Sequence, residues 1–91
     1  MAVARRYIIG GRVQGVGFRM FVVDRAALEG VQGYVRNMPD GRLEAVLEGD
    51  EESVDRVERA LRLGPASARV ETFDVEAIPP TGRQIGFTVR H

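Results

Sequence analysis

The sequence predicts an α+β fold. Six elements follow in the order β-α-β-β-α-β, with a short extra strand at the C-terminal end. The expected product is an antiparallel sheet with two helices on one face. Three observations carry this. Apolar residues alternate with period two in several short stretches. Two longer stretches carry a helical stripe and stop at glycine. A tight proline-aspartate-glycine turn joins the two middle strands. At 91 residues the chain allows one domain, 1–91, with one modest core.

In chain order, Tyr7, Ile9, Gly11 and Val13 alternate with Ile8, Gly10 and Arg12, which reads as a largely buried first strand. Residues from Phe18 to about Glu29 read as a helix, with Phe18, Phe21, Val22 and Leu28 as its apolar stripe and Gly30 as its stop. Gly33 to Met38 is the second strand, and Met38-Pro39-Asp40-Gly41 is a turn: proline presets one dihedral and Asp-Gly tolerates the next. Leu43, Ala45 and Leu47 alternate with Glu44 and Glu48, a third strand with one wet face.

The second helix follows. Asp50 is placed to cap it, Glu51 and Glu52 suit its positive end, and Val54, Val57 and Leu61 form its buried stripe. Glu52–Arg56, Asp55–Arg59 and Glu58–Arg62 are acid-to-base pairs at i,i+4, so this charge run reads as a solvated face. Gly64-Pro65 ends the helix. Ala68 to Ile78 is a fourth strand whose alternation slips between Val70 and Phe73, the mark of a bulge. After a loop at Pro79-Pro80-Thr81-Gly82, Phe87 and Val89 belong to a short last strand. This order is that of the ferredoxin-like fold.

The chemistry concentrates in Gly11 to Arg19, GRVQGVGFR, between the first strand and the first helix. Its glycines let the backbone turn sharply and bring N–H groups close to a ligand. Loop amides and the start of a helix together form an anion site, and Arg19 adds a planar donor fork. On spacing alone this oxyanion cradle and a plain tight turn with an exposed arginine stay equally open, because the stretch is neither GxGxxG nor GxxxxGK[ST]. The topology adds one placement. In a right-handed βαβ unit the first two strands are parallel, so the cradle with Arg19 and the end of the second strand at Asn37 lie at the same sheet edge.

GRVQGVGFR resembles the signature of the acylphosphatases, small enzymes that hydrolyse carboxyl phosphates. GYVRNMPDGRLEAVLEG (Gly33 to Gly49) and LGPASARV (Leu63 to Val70) resemble the second and third blocks of that family, in the same order and at similar spacing. The resemblance covers essentially the whole chain. It implies that Arg19 binds the phosphoryl group and Asn37 orients the attacking water. It also implies that the backbone of Gln14, Gly15, Val16, Gly17 and Phe18 forms the phosphate-binding loop. Tyr34 stands where many relatives have tryptophan, and Gly17 sits at a position that varies in the family.

The remaining inventory agrees. The only histidine is His91, there is no cysteine, and Ser53 and Ser67 have no histidine beside them in sequence, so a serine triad, a cysteine nucleophile and a transition-metal site are all unsupported. An enzyme so equipped needs a substrate that is already activated, and a carboxyl phosphate has a weakly basic leaving group. No cofactor and no metal are expected. The expected partners are small acyl phosphates, with inorganic phosphate or sulfate as product or inhibitor. Thirteen arginines balance 13 acids, with no lysine, so no bulk field draws nucleic acid or an anionic membrane. With no membrane span or signal peptide in view, a cytoplasmic monomer is the expectation. Two other classes compete: a non-catalytic anion-binding or regulatory module on the same fold, and a nucleic-acid binder using the sheet.

Overall fold

The computed structural model describes residues 1–83 and 85–91. Its elements are β1 (Ala2–Arg12), α1 (Phe18–Glu29), β2 (Gln32–Asn37), β3 (Leu43–Asp50), α2 (Glu51–Leu63), β4 (Arg69–Ile78) and β5 (Phe87–Arg90). They form one sheet in the order β4-β1-β3-β2-β5. β1 is antiparallel to β3 and β4, and β2 is antiparallel to β3, so β1 and β2 point the same way with β3 between them. β5 lies against the outer edge of β2 and runs parallel to it, which makes the sheet mixed at that edge alone. The arrangement is ferredoxin-like with an added C-terminal strand.

Tyr7, Ile9, Val35, Leu43 and Leu47 face Phe18, Val22, Ala26, Val54, Val57 and Leu61 across the sheet–helix interface, all fully or almost fully buried. The register slips where the sequence stalls: Gly10 pairs Thr72 and Gly11 pairs Val70, leaving Glu71 as the extra bulge residue. Gly11 has φ 119°, and a Cβ there would collide with the Arg69 carbonyl oxygen, so the bulge needs this glycine.

Four expectations change. Glu44 and Glu48 do not line a wet face, being 4% and 7% exposed. Arg6 Nε and Arg36 Nε, from the strands on either side, each donate to Glu44 at 2.6 Å and roof it over. Glu48 accepts from the Thr81 N–H (3.2 Å), the Thr81 hydroxyl (3.3 Å) and the Gly82 N–H (2.7 Å), which pins the connection from β4 to β5. Leu28 is 73% exposed, and Ala26 takes the buried position on α1. Asp50 sits at the N-cap of α2 but its side chain makes no capping hydrogen bond; the Glu51 N–H donates to the Met1 carbonyl instead. Of the three i,i+4 pairs only Glu58–Arg62 forms, at 3.5 Å. Asp55 and Glu58 turn to Arg5 on β1 (2.7 and 3.0 Å), and Arg56 reaches Glu29 on α1 at 2.8 Å. These acids bind the helix to its neighbours, because a partly buried partner outcompetes a solvated one.

Candidate active site

Val13 leaves β1 as a fully buried anchor, and the chain then turns through Gly15 (φ 71°) and Gly17 (φ 78°). A Cβ on either glycine would meet nothing within 4 Å. The requirement at both is therefore the left-handed backbone, and the space beside them is open. Two side chains hold the loop from opposite sides. Gln14 Nε2 donates to the carbonyls of Met38 (2.8 Å) and Arg42 (3.0 Å) in the β2–β3 turn. Ser67 Oγ donates to the Val16 carbonyl at 2.9 Å. Arg42 in turn donates from its backbone N–H and its Nε to Asp40, at 3.0 and 2.8 Å, which holds that carboxyl below its ordinary range and stiffens the turn.

α1 starts directly from this loop. The Phe21 N–H donates to the Gly17 carbonyl at 3.1 Å, and Gly17 occupies the N-cap without any side chain to cap the helix. The N–H groups of Phe18, Arg19 and Met20 precede the first intrahelical bond and have no acceptor within the helix. No acid occupies the first turn, so the positive end of the dipole is uncompensated. Phe18 is buried beneath the loop, its ring against Gly64, where an added Cβ would come within 3.0 Å of it.

Arg19 and Asn37, 18 positions apart in the chain, line one cavity of about 120 Å³ together with Val13, Gly15, Gly17, Phe18 and Met20. That is room for a small anion and a water. Arg19 has no ion-pair partner among the described residues. Asn37 Oδ1 is buried with no hydrogen-bond partner among them. A buried, unpaired amide oxygen carries a penalty of roughly 1–3 kcal/mol, so Asn37 is held beside the cavity at a cost that the fold alone does not offset.

Of the predicted residues, Arg19, Asn37, Gly15, Gly17 and Phe18 meet at the cavity, whereas Gln14 and Val16 serve through loop geometry. Sequence reasoning misses the tethering roles of Gln14 and Ser67. Both donate to carbonyls from distant segments, and no local spacing signals such a bond.

Among the described residues, no group of three or more His, Cys, Asp or Glu side chains is placed to hold a metal, and no helix is long and apolar enough to cross a membrane. The family model for acylphosphatase matches residues 5–89. An acylphosphatase of Rubrobacter xylanophilus is 51% identical over 85 residues, 93% of this chain and 77% of that protein. One from Methanocella arvoryzae is 48% identical over 91% of this chain and 93% of its own length. The crystal structure of acylphosphatase from Bacillus subtilis superposes with a TM-score of 0.93 at 33% identity, covering 100% of both chains. On these matches, which span nearly all of the sequence and its fold, the chain belongs to the acylphosphatase family and is a hydrolase of that class.

Proposed function

We propose that the chain hydrolyses the carboxyl–phosphate bond of small acyl phosphates, releasing a carboxylate and inorganic phosphate, at the cavity shared by Arg19 and Asn37. The phosphoryl oxygens take hydrogen bonds from the amides of Gln14 to Phe18 and from the Arg19 guanidinium. The Asn37 side-chain amide holds a water and aims its oxygen at phosphorus, opposite the acyl oxygen. A bond forms from water oxygen to phosphorus while the phosphorus–acyl oxygen bond breaks. The carboxylate leaves with the electron pair, and the water's proton passes to phosphate or solvent. Because the leaving group is a weak base, positioning and charge stabilisation are the work required of the protein.

The observation that carries this reading is that Arg19, which has no ion-pair partner among the described residues, and Asn37, whose buried Oδ1 has no hydrogen-bond partner among them, line one cavity. Hydrolysis of benzoyl phosphate, followed with and without EDTA, tests it. Turnover is expected to be unchanged by the chelator, and inorganic phosphate to inhibit competitively at the cradle. Loss of turnover in EDTA, restored by a divalent cation, would overturn the mechanism.

A further inference from the structure

A second cavity, of about 310 Å³, opens on the same helix as the first. Its walls are Val23, Ala26, Ala27, Val31 and Phe87, and Gln32 is the one polar side chain among its lining residues. Among the described residues, no charged side chain lines it. It lies where the C-terminal half of α1 passes over the start of β2 and β5.

Both cavities lie against α1, and their lining residues fall on one flank of it. Met20 lines the first, and Val23 and Ala27 line the second. These three positions are spaced i, i+3 and i+7, so they stack along one flank of α1. The Met20 side chain, 59% exposed between the two, is flexible, polarizable and able to shift aside. The strip therefore leads from the phosphoryl cradle to an apolar recess on the same side of the helix.

The proposed reaction leaves one part of the substrate without a place. The cradle accounts for the phosphoryl group and Asn37 for the water, and neither touches the acyl group. We infer that the Met20–Val23–Ala27 strip and the recess beyond it receive the acyl group, favouring acyl phosphates with a long unbranched apolar chain. The seven helical steps from Met20 to Ala27 rise about 10 Å, which matches a chain of about eight carbons. The occupant is fixed by continuity: it must be tethered to the phosphoryl group at one end and be uncharged at the other. This inference rests on the reaction proposed above.

The test is a chain-length series on the intact protein, comparing kcat/KM for acetyl, butyryl, hexanoyl and octanoyl phosphate. A rise of about two- to fourfold per added methylene is expected, levelling off near eight carbons. Ala27→Trp, an exposed position on the strip, should then lower the octanoyl-to-acetyl ratio by about tenfold. A separate readout needs no turnover: octanoate should perturb the amide resonances of Val23 to Val31 and of Phe87. Rapid hydrolysis of acetyl phosphate with a flat series, or octanoate perturbing only Gln14 to Arg19, would overturn the acyl strip and leave the reaction standing. Failure to hydrolyse any member of the series would overturn both.

Discussion

The two helices begin in opposite ways. α2 starts at Asp50 with Glu51 and Glu52 in its first turn and has Arg62 in its last, so charges of both signs oppose its dipole. α1 starts at a left-handed glycine, with no acid in its first turn and no base in its last, and neither helix has a side-chain cap. α2 is also tied outward, through Asp55 and Glu58 to Arg5 and through Arg56 to Glu29. The missing acid at the start of α1 leaves N–H donors and a positive potential free beside the cavity of Arg19 and Asn37. One helix has its dipole compensated at both ends, and the other is open at the end where the proposed reaction seats the phosphoryl group.

The strongest break in this comparison is at the cavity. Asn37→Ala should lower kcat by roughly 10²–10³-fold, while the inhibition constant of phosphate barely moves. Its melting temperature should hold, because the lost Oδ1 has no partner among the described residues. Arg19→Lys keeps the charge but loses the planar fork, so it should weaken phosphate binding and lower kcat together. An Asn37→Ala protein that melts many degrees earlier yet turns over normally when folded would make Asn37 a turn residue.

Leu61→Ala is the counterpart on α2. Leu61 is fully buried in the core, so the truncation should cost about 2–5 kcal/mol in denaturant melts. Turnover per folded molecule should stay at the wild-type value. A matched fall in kcat would mean that packing under α2 also sets the cradle, and the division between the helices would fail.

A third test moves to the sheet face that neither helix covers. Burial opposes charge on Glu44, but hydrogen bonds from Arg36 and Arg6 outweigh it and hold the carboxyl below its ordinary range. A depressed carboxylate contributes stability above its unfolded value of about 4.3, and that contribution is lost as pH falls through the folded value beneath it. Glu44→Gln should therefore be less stable at pH 7, and its melting temperature should fall less on acidification than the wild type's. Parallel pH profiles for the two proteins would show that the Arg6–Glu44–Arg36 cluster has no such role.

What the sequence could show follows the range of the interactions. Local signals are legible: the bounds of α1 from Phe18 to Glu29, the turn at Pro39-Asp40-Gly41, and the slip between Val70 and Phe73 that becomes the Glu71 bulge. The meeting of Arg19 and Asn37 is legible too, because connection handedness alone sends both to one edge. Alternation assigns Glu44 to water, since it records side-chain direction and not what lies opposite; its partners come from Arg6 and Arg36 on other strands. For the same reason the pairs Glu52–Arg56 and Asp55–Arg59 do not form as helix pairs. Arg56 and Asp55 find Glu29 and Arg5 instead, and nothing within one helical turn announces those partners.

The smallest expected effect sharpens the comparison most, because it gives α1 what α2 already has. Met20 stands in the first turn of α1 and is mostly exposed, so Met20→Glu adds an acid at the positive end of the dipole without disturbing the core. The gain in helix stability should be about 0.3–1 kcal/mol, read as a slightly higher melting temperature. The same carboxylate should repel phosphate at the cavity that Met20 lines, so the inhibition constant should rise several-fold. Met20→Gln, of the same shape and uncharged, should do neither. The penalty on phosphate should shrink as salt is raised, because the added charge is exposed and screened. If Met20→Glu stabilises the fold and binds phosphate as tightly as the parent, the open end of α1 is not part of the anion site. The contrast between the helices would then concern stability alone.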